Sequence, residues 1–247
     1  MKFNYDFIPQ GSKVTKEGDY FVCKDRFTDK KWDKNQVVVL DTGNSLEPGI
    51  IDHHQPDSIF IDSCVASIVA NYPEKYLGHL KQNQEVTIVT HFAPDLDALG
   101  SVYFAQKYLS GNEITPEDKV LAEYILEVDS GKLSIDPDFP ISIASIWLVI
   151  TNDGSNTPPF QMDNVGLIES GVSFLESVSK LLKTNNNPWD IRLLDGLVGF
   201  EKEKQDVLDD KKTYHEDLNE RSNFGVVGLH NTLKGGIDKV DVILTDR

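Results

Sequence analysis

This sequence has little cysteine, no long apolar run and few basic residues. Its two cysteines, Cys23 and Cys64, are too few and too far apart to form a disulfide framework. The most apolar stretch, residues 141–150, is about half as long as the roughly 20 residues of a membrane-spanning helix, and Ser142 and Ser145 interrupt it. Because the first residues do not begin a signal peptide, we expect a cytoplasmic protein without a membrane segment.

The shortage of positive charge restricts the partners of the protein. Lys and Arg number 24 and Asp and Glu number 40, so the formal net charge is −16. Long nucleic acids bind to clustered cations, which displace the counterions of the phosphates, and an acidic surface opposes this. The charge therefore argues against long nucleic acids as partners. A small substrate is easier to accommodate on such a surface.

Strand and helix patterns alternate over the first 150 residues. Apolar runs rich in β-branched residues predict buried strands at 36–40, 49–51 and 86–90. Helical spacing of apolar residues predicts a helix at 62–72. Start and stop signals predict two more, 98–109 closed by Ser110-Gly111, and 116–128 opened by Thr115 and Pro116. Such alternation predicts an α/β fold, with a mainly parallel sheet flanked by helices.

The pattern of the sequence changes after residue 150, and we expect the chain to consist of three parts. Residues 1–150 form the catalytic domain, and 151–220 form a helical extension or linker with helices near 164–183 and 189–219. Residues 221–247 hold two predicted strands, 224–229 and 240–244, and leave little room for a complete domain. We interpret them as the start of a small C-terminal domain, for which a truncated chain is one explanation.

Metal-ligating side chains follow each of the three predicted strands. The carboxyl ends of parallel strands line the usual ligand crevice of an open α/β sheet, so we expect these side chains to meet there. They are Asp41 after the first strand, Asp52, His53 and His54 after the second, and His91, Asp95 and Asp97 after the third.

Carboxylates and imidazoles are the ligands that a manganese-type site requires. Two such metals, about 3.5–4 Å apart, can activate a water and clamp phosphoryl oxygens. Asp95 and Asp97 are one residue apart, so each can address a different metal. Gly100 permits close approach of the backbone, and a helix that begins near Ala98 offers N-terminal amides to an anion. The pattern predicts two divalent metal ions, most simply manganese, as cofactors.

Simpler interpretations exist for the separate pieces. A single aspartate after a strand or helix, such as Asp41 or Asp129, is most often a turn former or a helix cap. The pair His53-His54 is compatible with an ordinary surface loop. The run from His91 to Ser101 is different, because it specifies many positions at once.

Residues 36–135 resemble the DHH phosphoesterases, a family that includes manganese-dependent pyrophosphatases, exopolyphosphatases, single-strand exonucleases and hydrolases of short or cyclic oligonucleotides. The family carries an H-x-x-P-D-x-D-A-x-G-S segment, which matches His91–Ser101. It also carries a strand-end aspartate, a D-H-H triplet and a later aspartate. These match Asp41, Asp52-His53-His54 and Asp129.

The resemblance implies a role for each matched residue. One metal would take His91, Asp95, Asp41 and Asp129, and the other would take Asp97, His53, Asp41 and Asp129. Asp41 and Asp129 would bridge the two ions. His54 would face the phosphoryl group, and Asp52 would orient the histidines from behind.

The order of the motifs departs from the family, because here the His91 segment follows the D-H-H triplet. A site at the edge of a parallel sheet depends on which strands are neighbours and not on their order in the chain. We therefore predict that the strand 86–90 lies parallel to 37–40, so that His91 and Asp41 meet.

Three functions are compatible with these residues. The first is a hydrolase of a small phosphoester or phosphoanhydride, such as a short or cyclic oligonucleotide, pyrophosphate or polyphosphate. The second is a single-strand exonuclease, which the acidity and the lack of a basic, aromatic-rich stretch disfavour. The third is a nucleotide-sensing module without catalysis, which has no need of a nucleophile-generating metal pair.

Overall fold

The computed structural model describes residues 1–24, 26, 28–54, 63–133, 141–151, 157–209, 226–227 and 243–244. The chain divides into two compact units. The first is Met1–Leu126 with Asn156–Glu176, and the second is Glu127–Ser155 with Ser177–Arg247. The predicted boundaries at residues 150 and 220 stay predictions. The α/β fold class is confirmed, because the larger sheet is mostly parallel and helices accompany it.

The first unit contains two sheets. Its strands are β1 (Lys2–Ile8), β2 (Val14–Glu17), β3 (Tyr20–Lys24), β4 (Asp29–Asp33), β5 (Val37–Leu40), β6 (Leu46–Glu47), β7 (Ile50–Ile51) and β8 (Glu85–His91). The larger sheet has the order β1-β8-β5-β7-β6. Its first four strands run parallel, and β6 pairs antiparallel with β7.

The predicted neighbourhood of the two long apolar strands is confirmed. Strand β8 pairs in parallel with β5, and Val37 lies opposite Thr87 and Val39 opposite Val89. All four residues of β5 are buried. Strands that are covered on both faces have continuous apolar sequences, which explains why β5 and β8 were recognisable in the sequence.

Strand β1 and the antiparallel sheet β2-β3-β4 were not predicted. Strand β1 occupies an edge of the larger sheet, and five of its seven residues are half-buried or exposed. Strands β2 and β4 are rich in charged residues and mostly exposed. Their apolar pattern is weak because one face of each strand contacts water.

The next helices are α1 (Val65–Asn71), α2 (Pro73–Leu77), α3 (Leu96–Leu109) and α4 (Pro116–Asp129). Helices α1, α3 and α4 agree with the prediction within a few residues, whereas α2, which begins at Pro73, was not predicted. Helix α3 begins two residues earlier than expected, because the Asp95 side chain accepts a hydrogen bond from the Ala98 amide and caps it. The predicted start of the first helix, Asp62, lies outside the described residues.

The later part of the chain contains α5 (Ile143–Thr151), α6 (Asn164–Leu182), a 3₁₀ helix at Ile191–Gly196 and a helical segment at 201–209. Helix α6 matches the helix predicted near 164–183, and the next two segments lie within the helix predicted near 189–219. Helix α5 was not predicted. Two short strands, β9 (Val226–Val227) and β10 (Ile243–Leu244), pair antiparallel within the two predicted strands. Residues 152–156, 210–225, 228–242 and 245–247, with the remainder of these predictions, lie outside the described residues.

None of the helices in the described ranges is both long enough and apolar enough to cross a membrane.

Gly100 lies inside α3 at the point where two other helices come closest. A Cβ atom at this position would lie 2.6 Å from Ile125 Cδ1 and 3.0 Å from Ala66 Cβ. All of these atoms belong to buried residues. The glycine therefore allows α1 and α4 to pack against the helix that follows the His91 segment. The sequence predicted a close approach of the backbone at Gly100, and the segments that approach there are the helices α1 and α4.

We predict that Gly100→Ala lowers the free energy of unfolding by about 1–2 kcal/mol. Overpacking typically costs about 1–3 kcal/mol, and the better helix propensity of alanine returns up to about 1 kcal/mol. Urea unfolding measures the difference. Gly166→Ala in α6 is the control and should lower the stability less. Its Cβ would meet the end of the exposed Asp163 side chain and not buried side chains. Equal stability of the Gly100→Ala variant and the wild type would contradict the packing argument.

Candidate metal centre

Three neighbouring strands deliver polar side chains to one edge of the larger sheet. Asp41 follows β5, Asp52 follows β7, and His91 is the last residue of β8. The strands are parallel neighbours in the order β8-β5-β7, and the Asp41 amide donates a hydrogen bond to the Ile51 carbonyl at 2.9 Å. The reversed order of the motifs in the chain therefore does not separate them in space.

Asp41 lies at the middle of the cluster and is only 1% exposed. Its Oδ2 is 3.4 Å from His91 Nε2, and its Oδ1 is 3.8 Å from His53 Nε2 and 3.8 Å from His54 Nδ1. The backbone of Asp41 has a φ of 58°, in the left-handed region. Aspartate and asparagine adopt this region more readily than most residues, so this side chain suits a sharp turn at a strand end.

The geometry of His91 fixes which ring nitrogen carries the proton. Its Nδ1 is 3.0 Å from the Phe92 carbonyl oxygen, which can only accept a hydrogen bond, so Nδ1 donates. In the neutral ring, Nε2 then presents a lone pair to Asp41 Oδ2, at 3.4 Å, and to Asp95 Oδ2, at 3.8 Å. Within the described residues, this buried Nε2 has no hydrogen-bond partner.

This arrangement of lone pairs fits a bound cation. A buried acceptor without a donor is costly, and it is more costly when the nearest groups are carboxylates. A metal ion satisfies a neutral imidazole nitrogen and two carboxylate oxygens at the same time. The donor set of His91, Asp41 and Asp95 therefore fits the predicted metal.

Asp95 has two tasks, one for each of its oxygens. Oδ1 accepts the Ala98 amide at 2.9 Å and caps α3, while Oδ2 is directed towards His91. The carboxyl group is half exposed. The Asp95 carboxylate thus occupies the Ala98 amide, and the expectation that the other N-terminal amides of this helix meet an anion stays a prediction. A helix cap and a metal-ligand candidate are here the same residue.

Asp97 connects the cluster to the start of α1. Its Oδ2 is 3.6 Å from His53 Nε2. Its two oxygens also accept the amides of Val65, at 2.9 Å, and Ala66, at 2.7 Å. Helix N-termini favour negative charge. Because each carboxylate oxygen has a second lone pair, the hydrogen bonds to α1 leave Asp97 able to bind a metal.

His54 and Asp52 form a hydrogen-bonded pair beside this cluster. His54 Nδ1 lies 2.8 Å from Asp52 Oδ1, and the His54 side chain is 49% exposed. Asp52 also accepts the backbone amides of His54, at 3.0 Å, and Asn44, at 2.7 Å. Burial raises the pKa of Asp52, but these hydrogen bonds outweigh it, and the net pKa lies below the ordinary value. Asp52 is thus held as a carboxylate that orients the His54 ring.

Two groups of side chains in the first unit could hold a metal ion. The ligand atoms of each group lie within 4.8 Å of one another. The groups are Asp41, His53 and His54, and Asp41, His91 and Asp95. His54 belongs to the first group because it lies close to the other two residues, although its Nδ1 is hydrogen-bonded to Asp52. Its predicted contact with the substrate stays a prediction. The role of Asp129, the exposed last residue of α4, also stays a prediction.

Asn164 is a residue of this region that was not predicted from the sequence. Its Oδ1 accepts the Ala93 amide at 2.6 Å, inside the turn that connects His91 to Asp95. Ala93 has a φ of 51°, so the turn holds a left-handed residue that is not glycine. Asn164 lies 71 positions further along the chain. No local pattern near Asn164 signals this contact, which only the tertiary structure creates.

Comparisons with known proteins returned nothing: no protein-family model, no curated protein and no solved structure matches this chain.

We predict that Asp41→Asn removes bound Mn²⁺ and that His54→Ala leaves it in place. The substituted asparagine would tolerate the same left-handed backbone but would lack the charge at the centre of both groups. The His54 ring is bonded to Asp52 and half exposed, so its removal spares the ligands. Metal analysis of both purified variants after dialysis makes the comparison. Equal metal loss in the two variants would show that His54 is a ligand.

Proposed function

We propose that this protein is a metal-dependent phosphohydrolase that uses a dinuclear, manganese-type centre. Its substrate is a small phosphoester or phosphoanhydride. The observation that carries the proposal is the buried Nε2 of His91, which lies beside carboxylate oxygens. In the described part of the chain, no hydrogen-bond donor reaches this nitrogen. A lone metal-ligand motif in a sequence is weaker support than an imidazole already oriented for a cation.

The proposed ligands divide into two sets that share Asp41. His91 and Asp95 would bind one ion, and His53 and Asp97 would bind the other. Asp41 can serve both because its two oxygens face different histidines, at 3.4 Å and 3.8 Å. Asp129 is proposed as the second shared ligand. When bound, two divalent ions supply positive charge to the phosphoryl oxygens and to the attacking water.

His54 is proposed to contact the phosphoryl group directly. Asp52 accepts a hydrogen bond from Nδ1, so the other ring nitrogen, Nε2, is available for a substrate oxygen. When Nε2 also carries a proton, it can donate a hydrogen bond to that oxygen or give the proton to a leaving group. The half-exposed position of His54 suits a group that must meet a ligand from solution.

The acidity of the protein supports a small substrate. The formal net charge is −16, and the cluster itself contains four aspartates: Asp41, Asp52, Asp95 and Asp97. Without metal ions, this edge of the sheet repels phosphate. Two divalent ions would offset the four carboxylates locally, so the centre would attract a compact phosphorylated group but would not hold a long polyanion.

A panel of substrates tests the proposal. The purified chain with Mn²⁺ should hydrolyse at least one of pyrophosphate, polyphosphate, cyclic dinucleotides and short oligonucleotides, and it should act poorly on long single strands. Chelation should abolish the activity, and Mn²⁺ should restore it better than Ca²⁺, which prefers oxygen-only sites. Phosphate release and chromatography of the products measure the rates.

The same panel separates the alternatives. Preferred hydrolysis of long single strands would indicate an exonuclease. Tight binding of a nucleotide without any turnover would indicate a sensing module. Full activity after exhaustive chelation would overturn the metal-dependent mechanism.

We predict that Asp52→Asn lowers kcat by about 10–100-fold and leaves the Mn²⁺ content unchanged, as is typical when the partner that orients an active-site histidine is lost. An asparagine amide carries no negative charge, so its hydrogen bond to the His54 ring would be weaker than that of the Asp52 carboxylate. Ser45→Ala is the matched control, because the Ser45 hydroxyl contacts Glu47 while only its backbone carbonyl contacts Asp52. A loss of metal in Asp52→Asn would show that Asp52 acts on the ligands themselves.

A further inference from the structure

The peptide group between Phe92 and Ala93 is hydrogen-bonded on both sides. Its carbonyl oxygen accepts from His91 Nδ1 at 3.0 Å, and its N–H donates to Asn164 Oδ1 at 2.6 Å. A peptide group is a rigid plane, so its C=O and N–H turn together. A rotation of this peptide group would therefore change its contact with Asn164 and its contact with the His91 ring at the same time.

The orientation of the Asn164 side chain is determined by its other contacts. Its Nδ2 donates to the carbonyl oxygens of Pro159, at 2.9 Å, and Met162, at 3.1 Å. A side-chain amide that donates to two carbonyls through nitrogen must present its oxygen to the third group, the Ala93 amide. Asn164 is 5% exposed, so water does not compete readily for these bonds.

The turn that Asn164 holds needs an external contact. Ala93 has a φ of 51°, a conformation that L residues with a Cβ atom adopt at an energetic cost. Such a residue persists where the surroundings determine its conformation. The bond from the Ala93 amide to a buried, fully bonded asparagine is such a determinant.

We propose that Asn164 is a positioning residue for His91. By fixing the Phe92–Ala93 peptide, it keeps the proton of His91 on Nδ1 and directs the lone pair of Nε2 towards Asp41 and Asp95. A ring protonated on Nε2 cannot bind a metal through that atom. The inference deepens the proposed function, since it rests on His91 as a ligand, but it concerns a residue outside the ligand set.

The first arm of the test measures Mn²⁺ affinity by calorimetry. Asn164→Ala should weaken it by about 10–100-fold, the usual effect of removing a partner that orients a ligand. Asp163→Ala is the matched control at the same helix start. The exposed Asp163 carboxylate accepts the Gly166 amide at 3.0 Å, so its loss weakens the start of α6 without touching Ala93. This control should keep the affinity within about twofold of the wild type.

The second arm uses the metal-free protein and needs neither metal nor substrate. Long-range ¹H–¹⁵N spectra at alkaline pH report which nitrogen of His91 carries the proton. The wild type should show the Nδ1–H tautomer, and Asn164→Ala should show a mixture. Asn164→Asp keeps an oxygen for the Ala93 amide but loses the donations to Pro159 and Met162 that orient the side chain. It should therefore show more of the Nε2–H form than the wild type and less than Asn164→Ala. This variant and the wild-type spectrum keep the test decisive if Asn164→Ala does not fold.

Three results would overturn the inference: an Nε2–H tautomer in the wild type, an unchanged His91 spectrum in Asn164→Ala, or the same losses in Asp163→Ala. An Asn164→Asp spectrum in which the Nε2–H form predominates would also overturn it, since the oxygen kept for the Ala93 amide would then have no effect. A wild type that binds Mn²⁺ but hydrolyses nothing would contradict the proposed function and leave this inference standing. If the wild type binds no Mn²⁺, the proposed centre fails and the spectra alone decide the role of Asn164.

Discussion

The parallel pairing of β8 with β5 is the constraint on which the candidate site depends. Its register places Val39 opposite Val89, so the ends of the two strands lie at the same edge of the sheet. His91 and Asp41 then approach to 3.4 Å although 50 positions separate them in the sequence. Backbone hydrogen bonds and the burial of both strands maintain this pairing.

Carboxylate repulsion is the main cost of this arrangement. The structure offsets it by giving several carboxylates backbone N–H donors: Asp52 accepts two amides, Asp95 accepts one and Asp97 accepts two. Two of these residues cap helices, Asp95 at α3 and Asp97 at α1. These candidate ligands therefore also stabilise the fold, and a carboxylate that caps a helix can bind a metal as well. A cation at the centre would remove much of the remaining repulsion.

The agreement between prediction and structure follows the strength of the local signal. Strands β5 and β8 were predicted because burial on both faces gives continuous apolar runs, and helices α3 and α4 because local residues mark their starts or ends. Strand β1 was missed because an edge strand with polar residues has no such periodicity. The identity of the ligand candidates was predicted from spacing, whereas the capping of α1 by Asp97 was not, because Val65 and Asp97 are 32 positions apart.

The amino-acid sequence by itself determined the residue types of the site and the strands that carry them. Aspartates and histidines directly after buried apolar runs must emerge at strand ends, because strand periodicity and turn chemistry are local properties. Tertiary structure alone decided which strand ends are neighbours, which His91 nitrogen faces the carboxylates, and that Asn164 supports the His91 turn. These features depend on hydrogen bonds between segments distant in the chain, and no local pattern encodes such partners.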